Sequence, residues 1–474
     1  ILRSPHAHAL IRHIDTRRAR SLPGVFDCFA APDLPGPVNP IPLRRGSRPA
    51  LLPYLQRPFP GDRVRYVGEP VAVVVANDRY VAEDARELID VEYELLPAVI
   101  RLEQAMAPGS AAIYPEGNVA DSWTVNVGDV EGSLSRAAYT LRRRFAIQRQ
   151  TGVPMETRGL IADYDGGRGV VTVWGPTKIP YFNRQILAGM LSIDEDRVHF
   201  VEPDVGGGFG VRGEFYPEDF LIPYLAMRLG RPVRWIEDRQ EHFVSVTHSR
   251  EQQWEVALAV DRDGRFLGLD ATLVNDMGAY LHVTTVPTLA AAHLPGPYRF
   301  PAYRCRVFCV MTNKAPTATL RGPGLYESNF VRERAIDMAA AEFGMDPVEL
   351  RRLNLIRPAE MPYSVGTDKN GTPTVYDTGD FPSVFRRSLE RVGYQRLVET
   401  SRKEEFAPLK NADGPDSPQT VARALTDLAA DWLAAAGVNV PRDTAGAPAF
   451  SLEINPLFAL DAEELVRKVN RSTK

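Results

Sequence analysis

Cysteine is scarce: only Cys28, Cys305 and Cys309 occur in 474 residues. Three thiols exclude a disulfide framework and fall short of the four that hold an iron–sulfur cluster, so any such cluster belongs to another chain. No apolar run approaches the ~18 residues of a membrane span. Neither sign of charge dominates, with 56 Lys and Arg against 60 Asp and Glu and a formal net charge of -4. With no basic stripe to neutralise a phosphate backbone, nucleic acid is excluded as a natural partner. An initiating methionine is also missing. The sequence opens at Ile1 inside a strand-and-turn pattern, so further residues are expected upstream.

What is present is an ordinary globular composition, 44% apolar and 24% charged, with 36 glycines and 39 prolines that point to many turns. At about 150 residues per domain the length predicts roughly three domains. From Ile1 to about Arg101, short strands alternate with Pro-rich turns. Strand Val71–Ala76 leads through Asn77-Asp78 into a helix reaching about Ile89, with Val81, Ala85, Leu88 and Ile89 on its apolar face. Strand Val91–Glu94 follows. Leu34 to Pro60 reads as a long surface loop.

A mixed α+β region spans about Leu141 to Tyr394. Its strands are Val170–Trp174, Val198–Glu202, Val233–Ile236, Trp254–Val260 and Arg304–Thr312, and its helices Asn183–Leu191, Glu218–Leu229 and Tyr326–Phe343. Cys305 and Cys309, four apart on one strand, share a face and read as buried core thiols. Gly344 fits a left-handed cap, and Asp346-Pro347-Val348-Glu349 fits the start of the next helix. Beyond Tyr394 come a helix from Ser417, with Val421, Leu425, Leu428 and Trp432 on one face, and a strand, Phe450–Ile454.

Two turns could carry chemistry. Asp204-Val205-Gly206-Gly207-Gly208-Phe209-Gly210-Val211-Arg212-Gly213 joins a strand to a helix, so its N–H groups could approach an anion closely. It has neither G-x-G-x-x-G spacing nor a Lys-Ser/Thr pair, which excludes the dinucleotide and P-loop readings. The second turn, Thr317 to Gly324, offers the guanidinium fork of Arg321.

Together these segments resemble the large, molybdenum-binding subunit of the xanthine dehydrogenase, aldehyde oxidase and carbon monoxide dehydrogenase family. Arg3-Ser4-Pro5-His6-Ala7-His8-Ala9, Pro23-Gly24-Val25 and Tyr66-Val67-Gly68-Glu69-Pro70 resemble its α/β hammerhead domain. Met155-Glu156-Thr157-Arg158-Gly159, the Gly206–Gly210 run, Trp235-Ile236-Glu237-Asp238-Arg239 and Gly344 to Arg351 resemble its first molybdopterin-binding domain. The resemblance implies a hammerhead over 1–105, a linker over 106–140 and a mixed α+β cofactor domain over 141–394. It also implies a molybdenum–molybdopterin cofactor, in the cytosine dinucleotide form, contacted by Lys178, Gly207, Gly208, Phe209, Gly210, Arg321 and Gly322. Phe209 and Arg321 would lie against the metal through their backbones. Lys178 stands where the family commonly has a glutamine, adding charge beside an oxo ligand. The turn before Arg321 lacks the copper-holding cysteine of carbon monoxide dehydrogenases, so CO oxidation is not expected. His6 and His8 belong to a hammerhead strand on this reading, not to a metal site.

The implied activity is a cytoplasmic oxidoreductase that hydroxylates an aldehyde or N-heterocycle. Its partners would be an iron–sulfur small subunit with [2Fe-2S] clusters and an FAD-bearing medium subunit. The family's deprotonating glutamate lies in a second cofactor domain with no counterpart in these residues, so no catalytic residue is assigned and the chain alone is expected to be inactive. From about residue 395 to 474, Arg402 to Gly414 and Leu452-Glu453-Ile454-Asn455-Pro456-Leu457 instead resemble the C-terminal part of UDP-N-acetylglucosamine pyrophosphorylases, a short α/β tail in which Lys410 would contact phosphate. The join near residue 396 reads as a gene-model fusion. The rival readings are a non-catalytic or assembly-stage scaffold and a sugar-nucleotide transferase acting through the tail. One strand and two helices bury too little surface to offset their ordering entropy comfortably. Limited proteolysis of the full chain is therefore expected to cut first between Gln395 and Lys403; a tail as resistant as residues 206–343 would overturn the fusion reading.

Overall fold

Strand Pro70–Ala76 (PVAVVVA) is largely β-branched, and it forms the centre of a three-stranded antiparallel sheet between Leu2–Arg3 and Val25–Ala30. The Asp78 carboxylate then accepts from the N–H groups of Tyr80 and Val81 and starts helix Arg79–Glu87. A second sheet, in the order Arg63–Val64, Ala9–Asp15, Asp90–Leu95, completes this N-terminal α/β segment. His6 and His8 precede strand Ala9–Asp15 rather than lying in it. The His6 ring meets Tyr93 edge-on, and His8 Nδ1 bonds the Pro97 carbonyl at 2.8 Å.

The structure, a computed structural model, describes residues 1–396 and 398 apart from 35–37, 45–47 and 370. Lys410, the Val421–Trp432 helix face and strand Phe450–Ile454 lie outside the described residues. The chain divides into one unit of Ile1–Leu355 with Met361–Asp377 and another of Ile356–Glu360 with Thr378–Lys474. In the second unit, helix Phe381–Val392 starts on the Asp380 carboxylate, which accepts from Ser383 N–H.

In the first unit, a five-stranded sheet has the order Val119–Val127, Ala302–Met311, Phe266–Gly278, Gln252–Val260, Tyr139–Ile147, with only the Phe266–Gly278 and Ala302–Met311 pair parallel. Leu141, Leu258, Leu269 and Tyr303 align across it and are buried. Residues 106–140, expected as a linker, hold the edge strand Val119–Val127 and helix Val130–Arg136. In that strand Trp123, Val125 and Val127 alternate with the exposed Ser122, Thr124 and Asn126, a short period-2 pattern that the linker expectation passed over. Cys305 and Cys309 are buried free thiols, and burial pushes Cys305 up to about 12.

A four-stranded sheet positions the candidate site. Its order is Val198–Val201, Val170–Trp174, Gly159–Asp165, Val233–Ile236, the first pair parallel. Helices Pro180–Leu191 and Pro217–Leu229 bury Leu187, Leu221 and Leu225 with Ala162, Val171 and Val173. Helix Leu325–Phe343 ends at Gly344 (φ 77°), and the Asp346 carboxylate caps the next helix by accepting from Val348 and Glu349 N–H. No described helix is long and apolar enough to cross a membrane.

The N-terminal segment joins the rest through buried polar contacts. Gly68 (φ +104°) passes so close to the Val244 carbonyl that an added Cβ would lie 2.1 Å from its oxygen. Next to it, Glu69 accepts from Tyr280 Oη–H and Arg65 N–H, both at 2.6 Å. Burial pushes this carboxyl from 4.5 up to about 7 despite those donors. A folded-state value above the unfolded one means the native protein holds the extra proton between pH 4.5 and 7, so this group's contribution to stability is full below pH 4.5 and is lost as pH rises to 7. The stability of wild type relative to Glu69→Gln, from urea melts, is expected to fall by on the order of 3 kcal/mol between pH 4.5 and pH 8; a pH-independent difference would refute this.

Candidate functional site

Strand Val198–Val201 runs parallel to Val170–Trp174, and the chain leaves the sheet there as the glycine-rich turn before helix Pro217–Leu229. Three residues of the turn take positive φ: Gly207 (+105°), Phe209 (+50°) and Gly210 (+112°). Phe209 is the uncommon case, a bulky residue in left-handed backbone. Phe209 is 47% exposed, whereas Val211 behind it is buried. Val211 N–H donates to Gly208 O at 2.9 Å and Gly213 N–H to Gly210 O at 2.8 Å, which closes the turn on itself.

The second turn lies directly against the first. Arg321 N–H donates to Phe209 O at 2.8 Å, and a Cβ on Gly210 would sit 2.1 Å from Thr319 O. Gly322 (φ +72°) and Gly324 (φ +75°) turn the chain into helix Leu325–Phe343; a Cβ on Gly324 would meet Val286 O at 2.6 Å. The expected contacts Phe209, Gly210, Arg321 and Gly322 therefore occupy one place. Lys178 joins them from the turn after strand Val170–Trp174, where its N–H donates to Arg212 O at 2.9 Å.

Several supporting residues escaped the sequence reading. Arg250, buried and itself at φ +74°, donates to Arg321 O, reaches Glu327 Oε2 at 3.1 Å and stacks over Tyr326 at 4.4 Å. No local pattern marks it. Glu156 Oε2 accepts from Gly206 N–H at 2.9 Å, and Arg212 Nη2 donates to the carbonyls of Glu156 (2.9 Å) and Thr157 (2.8 Å). Both lie inside motifs already singled out, where family likeness flagged the stretch without separating its residues.

Below the turns, Arg158 is buried with every nitrogen of its guanidinium engaged. Nη1 donates to Glu218 at 3.1 Å, Nη2 to Glu237 at 2.6 Å and Ser245 at 2.9 Å, and Nε to Glu237 at 3.1 Å. Burial opposes the charge on Glu237, yet Arg158, His242 and Ser245 hold its carboxyl well below the usual range. Glu218 is lowered likewise, against burial, by Arg158 and Arg3. Arg3, from the N-terminal segment, reaches Glu218 at 2.6 Å, Glu241 at 2.8 Å and Gly68 O at 3.0 Å.

The chemistry of this donor set suits a polyanion. Glycines admit close approach, and Lys178 and Arg321 are exposed with no ion pair among the described residues.

A family model described as "Molybdopterin cofactor-binding domain" matches residues 113–355, and one described as "Aldehyde oxidase and xanthine dehydrogenase, a/b hammerhead domain" matches 1–97. The 6-hydroxypseudooxynicotine dehydrogenase complex subunit gamma of Paenarthrobacter nicotinovorans is 35% identical over 85% of this chain and 51% of its own length. The carbon monoxide dehydrogenase large chain of Afipia carboxidovorans is 31% identical over 85% of this chain and 51% of its own length. The crystal structure of quinoline 2-oxidoreductase from Pseudomonas putida 86 superposes with a TM-score of 0.80 at 35% identity, covering 86% of this chain and 52% of that one. The chain spans about half the length of these relatives, and its mixed α+β hammerhead and cofactor-domain fold is theirs.

The packing of the two turns gives a direct test. Gly210→Ala is expected to destabilise the protein by about 1–3 kcal/mol or more in a urea melt, through positive φ and the collision with Thr319 O. Gly208→Ala meets only the Arg212 side chain, at 3.6 Å, and is expected to be nearly neutral. Equal effects would contradict the close approach.

Proposed function

Because the chain belongs to the xanthine dehydrogenase and aldehyde oxidase family, as a molybdopterin-binding subunit, we propose that Gly207, Gly208, Phe209, Gly210, Arg321 and Gly322 seat a molybdenum–molybdopterin cofactor, of the cytosine dinucleotide form, with Lys178 beside it. The observation that carries this reading is the hydrogen bond from Arg321 N–H to Phe209 O, which joins the two motifs into one surface. The two cations without counter-ions support it further, since a dinucleotide pyrophosphate brings several negative charges.

When bound, the cofactor supplies the two-electron oxidation chemistry that protein side chains lack. The chain's own part is placement. The glycine turn lets backbone reach the group without a Cβ between, the Phe209 ring covers one side, and Arg250 fixes the carbonyls of Arg321 and Gly322 so that their turn cannot rotate. Lys178 Nζ can donate up to three hydrogen bonds where the family's glutamine amide donates two, and it adds a positive charge.

The substrate class we propose is an aldehyde or N-heterocycle; relatives named for 6-hydroxypseudooxynicotine and quinoline favour the heterocycle. Electrons would leave through [2Fe-2S] clusters and FAD on partner subunits, in the cytoplasm, since the three cysteines here are all buried and separate from the turns. These 474 residues assayed by themselves should not turn over. The family's deprotonating glutamate has no match in them, and losing a general base alone lowers rates by about 10²- to 10⁴-fold.

Metal analysis tests the seat. Chain isolated with its cofactor should carry molybdenum, and Lys178→Ala combined with Arg321→Ala should lose most of it while unfolding at an unchanged urea midpoint. Full molybdenum content in that variant would sink the assignment.

A further inference from the structure

A third segment meets the two turns. Gly152 lies in the stretch between strands Tyr139–Ile147 and Gly159–Asp165. A Cβ built on it would stand 2.7 Å from Leu320 Cδ1 on the Arg321 turn, 3.0 Å from Phe209 Cβ on the glycine turn and 3.7 Å from Phe209 O, the carbonyl that accepts from Arg321 N–H. Carbon atoms ordinarily pack at about 3.5–4.0 Å. Gly152 is not among the glycines at positive φ, so its backbone would accept alanine, and lack of space alone calls for glycine there. The stretch is anchored at both ends. Gln150 and Ser249 exchange backbone hydrogen bonds at 3.0 and 2.8 Å, one residue before Arg250. Arg239 Nη2 donates to the carbonyls of Pro154 (2.6 Å) and Met155 (3.0 Å), and Thr157 Oγ1 donates to Glu237 O at 2.6 Å. Pro154 packs on the glycine turn as well: a Cβ on Gly207 would lie 3.3 Å from Pro154 Cβ and 3.1 Å from Cε2 of the Phe209 ring.

We propose that residues 150–157 form a third wall of the seat and that Gly152 is its positioning residue, whose missing side chain sets how closely Phe209 and Leu320 approach and so whether Arg321 N–H reaches Phe209 O. A methyl group at this position is a wedge with one motif on either side. The stretch that carries it is pinned, and Phe209 is committed to its left-handed backbone, so the displacement falls on the junction between the motifs. Opening that junction lengthens the hydrogen bond that joins the two turns into one surface. Leu320, half-buried, offers the relief. Shortening it to alanine vacates the place of its Cδ1, and the added methyl can then move off Phe209 Cβ by the few tenths of an ångström that it needs.

The inference rests on the cofactor-seat reading only for what the wall faces, and its first test needs no cofactor. In hydrogen exchange on the full chain, Gly152→Ala should speed the Arg321 amide by about tenfold or more, while the Val171 and Val173 amides of the buried sheet stay within about threefold of wild type. Gly152→Ala combined with Leu320→Ala should bring the Arg321 amide back to within about threefold of Leu320→Ala alone. No acceleration in Gly152→Ala, equal acceleration at all three amides, or no recovery in the double variant would overturn the proposal. Chain isolated with its cofactor should lose molybdenum several-fold in Gly152→Ala and regain it in the double variant, a recovery that a loss of general stability would not give. A wild-type chain that takes up no molybdopterin would defeat the functional reading, and hydrogen exchange would still decide the role of Gly152.

Discussion

A buried guanidinium without partners would be untenable, and the environment of Arg158 is arranged around that constraint. Breaking such a pair by removing one partner costs about 3–5 kcal/mol, because the remaining charge stays buried alone. Arg158 opens strand Gly159–Asp165, Glu237 ends strand Val233–Ile236, and Gly159 and Ile236 are register partners. Glu218 starts helix Pro217–Leu229, and His242 and Ser245 come from helix Arg239–Ser245. One side chain thus fixes two strands and two helices. Through Glu218 it also fixes Arg3, and with it the N-terminal sheet. The residues just before Arg158 are Glu156 and Thr157, which hold the glycine turn through Gly206 and Arg212. The position of the exposed turns is therefore inherited from a buried charge that none of them touches.

That rigidity accounts for the unusual backbone at the surface. Phe209 and Arg250 both take left-handed φ without being glycine, at about 1–3 kcal/mol each. Each is held by contacts that a relaxed backbone would break. Phe209 offers its carbonyl to Arg321, and Arg250 spans Arg321 O, Gly322 O and Glu327. Strain at two neighbouring turns, locked by reciprocal hydrogen bonds, is what a site prearranged to receive a ligand requires, since ordering the turns at the moment of binding would subtract from affinity.

How much of this could be read from the chain differs by element. Strands Val170–Trp174 and Val233–Ile236 and the caps at Asp78, Gly344 and Asp346 were legible because their signals are local: β-branched runs, a carboxylate before a helix, a glycine after one. The glycine turn and the Arg321 turn were legible as motifs, and their meeting was implied by family likeness alone. Strand Phe266–Gly278 was not legible. It carries Gly268, Asp270, Asn275 and Asp276, residues that ordinarily break strands, and it exists because it pairs on both sides with Gln252–Val260 and Ala302–Met311. Strand Val119–Val127, taken for linker, shows its period-2 pattern only over residues 122–127, where Trp123, Val125 and Val127 alternate with Ser122, Thr124 and Asn126. Arg250 was invisible because its partners lie 71 to 77 positions away.

Charge distribution separates the interior of the first unit from its site. Arg3, Arg158 and Arg250, all largely buried, are matched to carboxylates that burial would otherwise neutralise. Such pairing is what burial demands. Lys178 and Arg321 break the pattern on the surface, where water solvates them at little energetic penalty and no ion pair among the described residues ties them down. A positive field over a cluster of glycine amides is long-ranged enough to steer an anion and specific enough, through the N–H directions, to orient it once it arrives. The contrast between the Arg3, Arg158 and Arg250 pairs and these two surface cations follows from dielectric: paired ions hold the scaffold where screening is weak, and unpaired ones stand where water makes them tolerable.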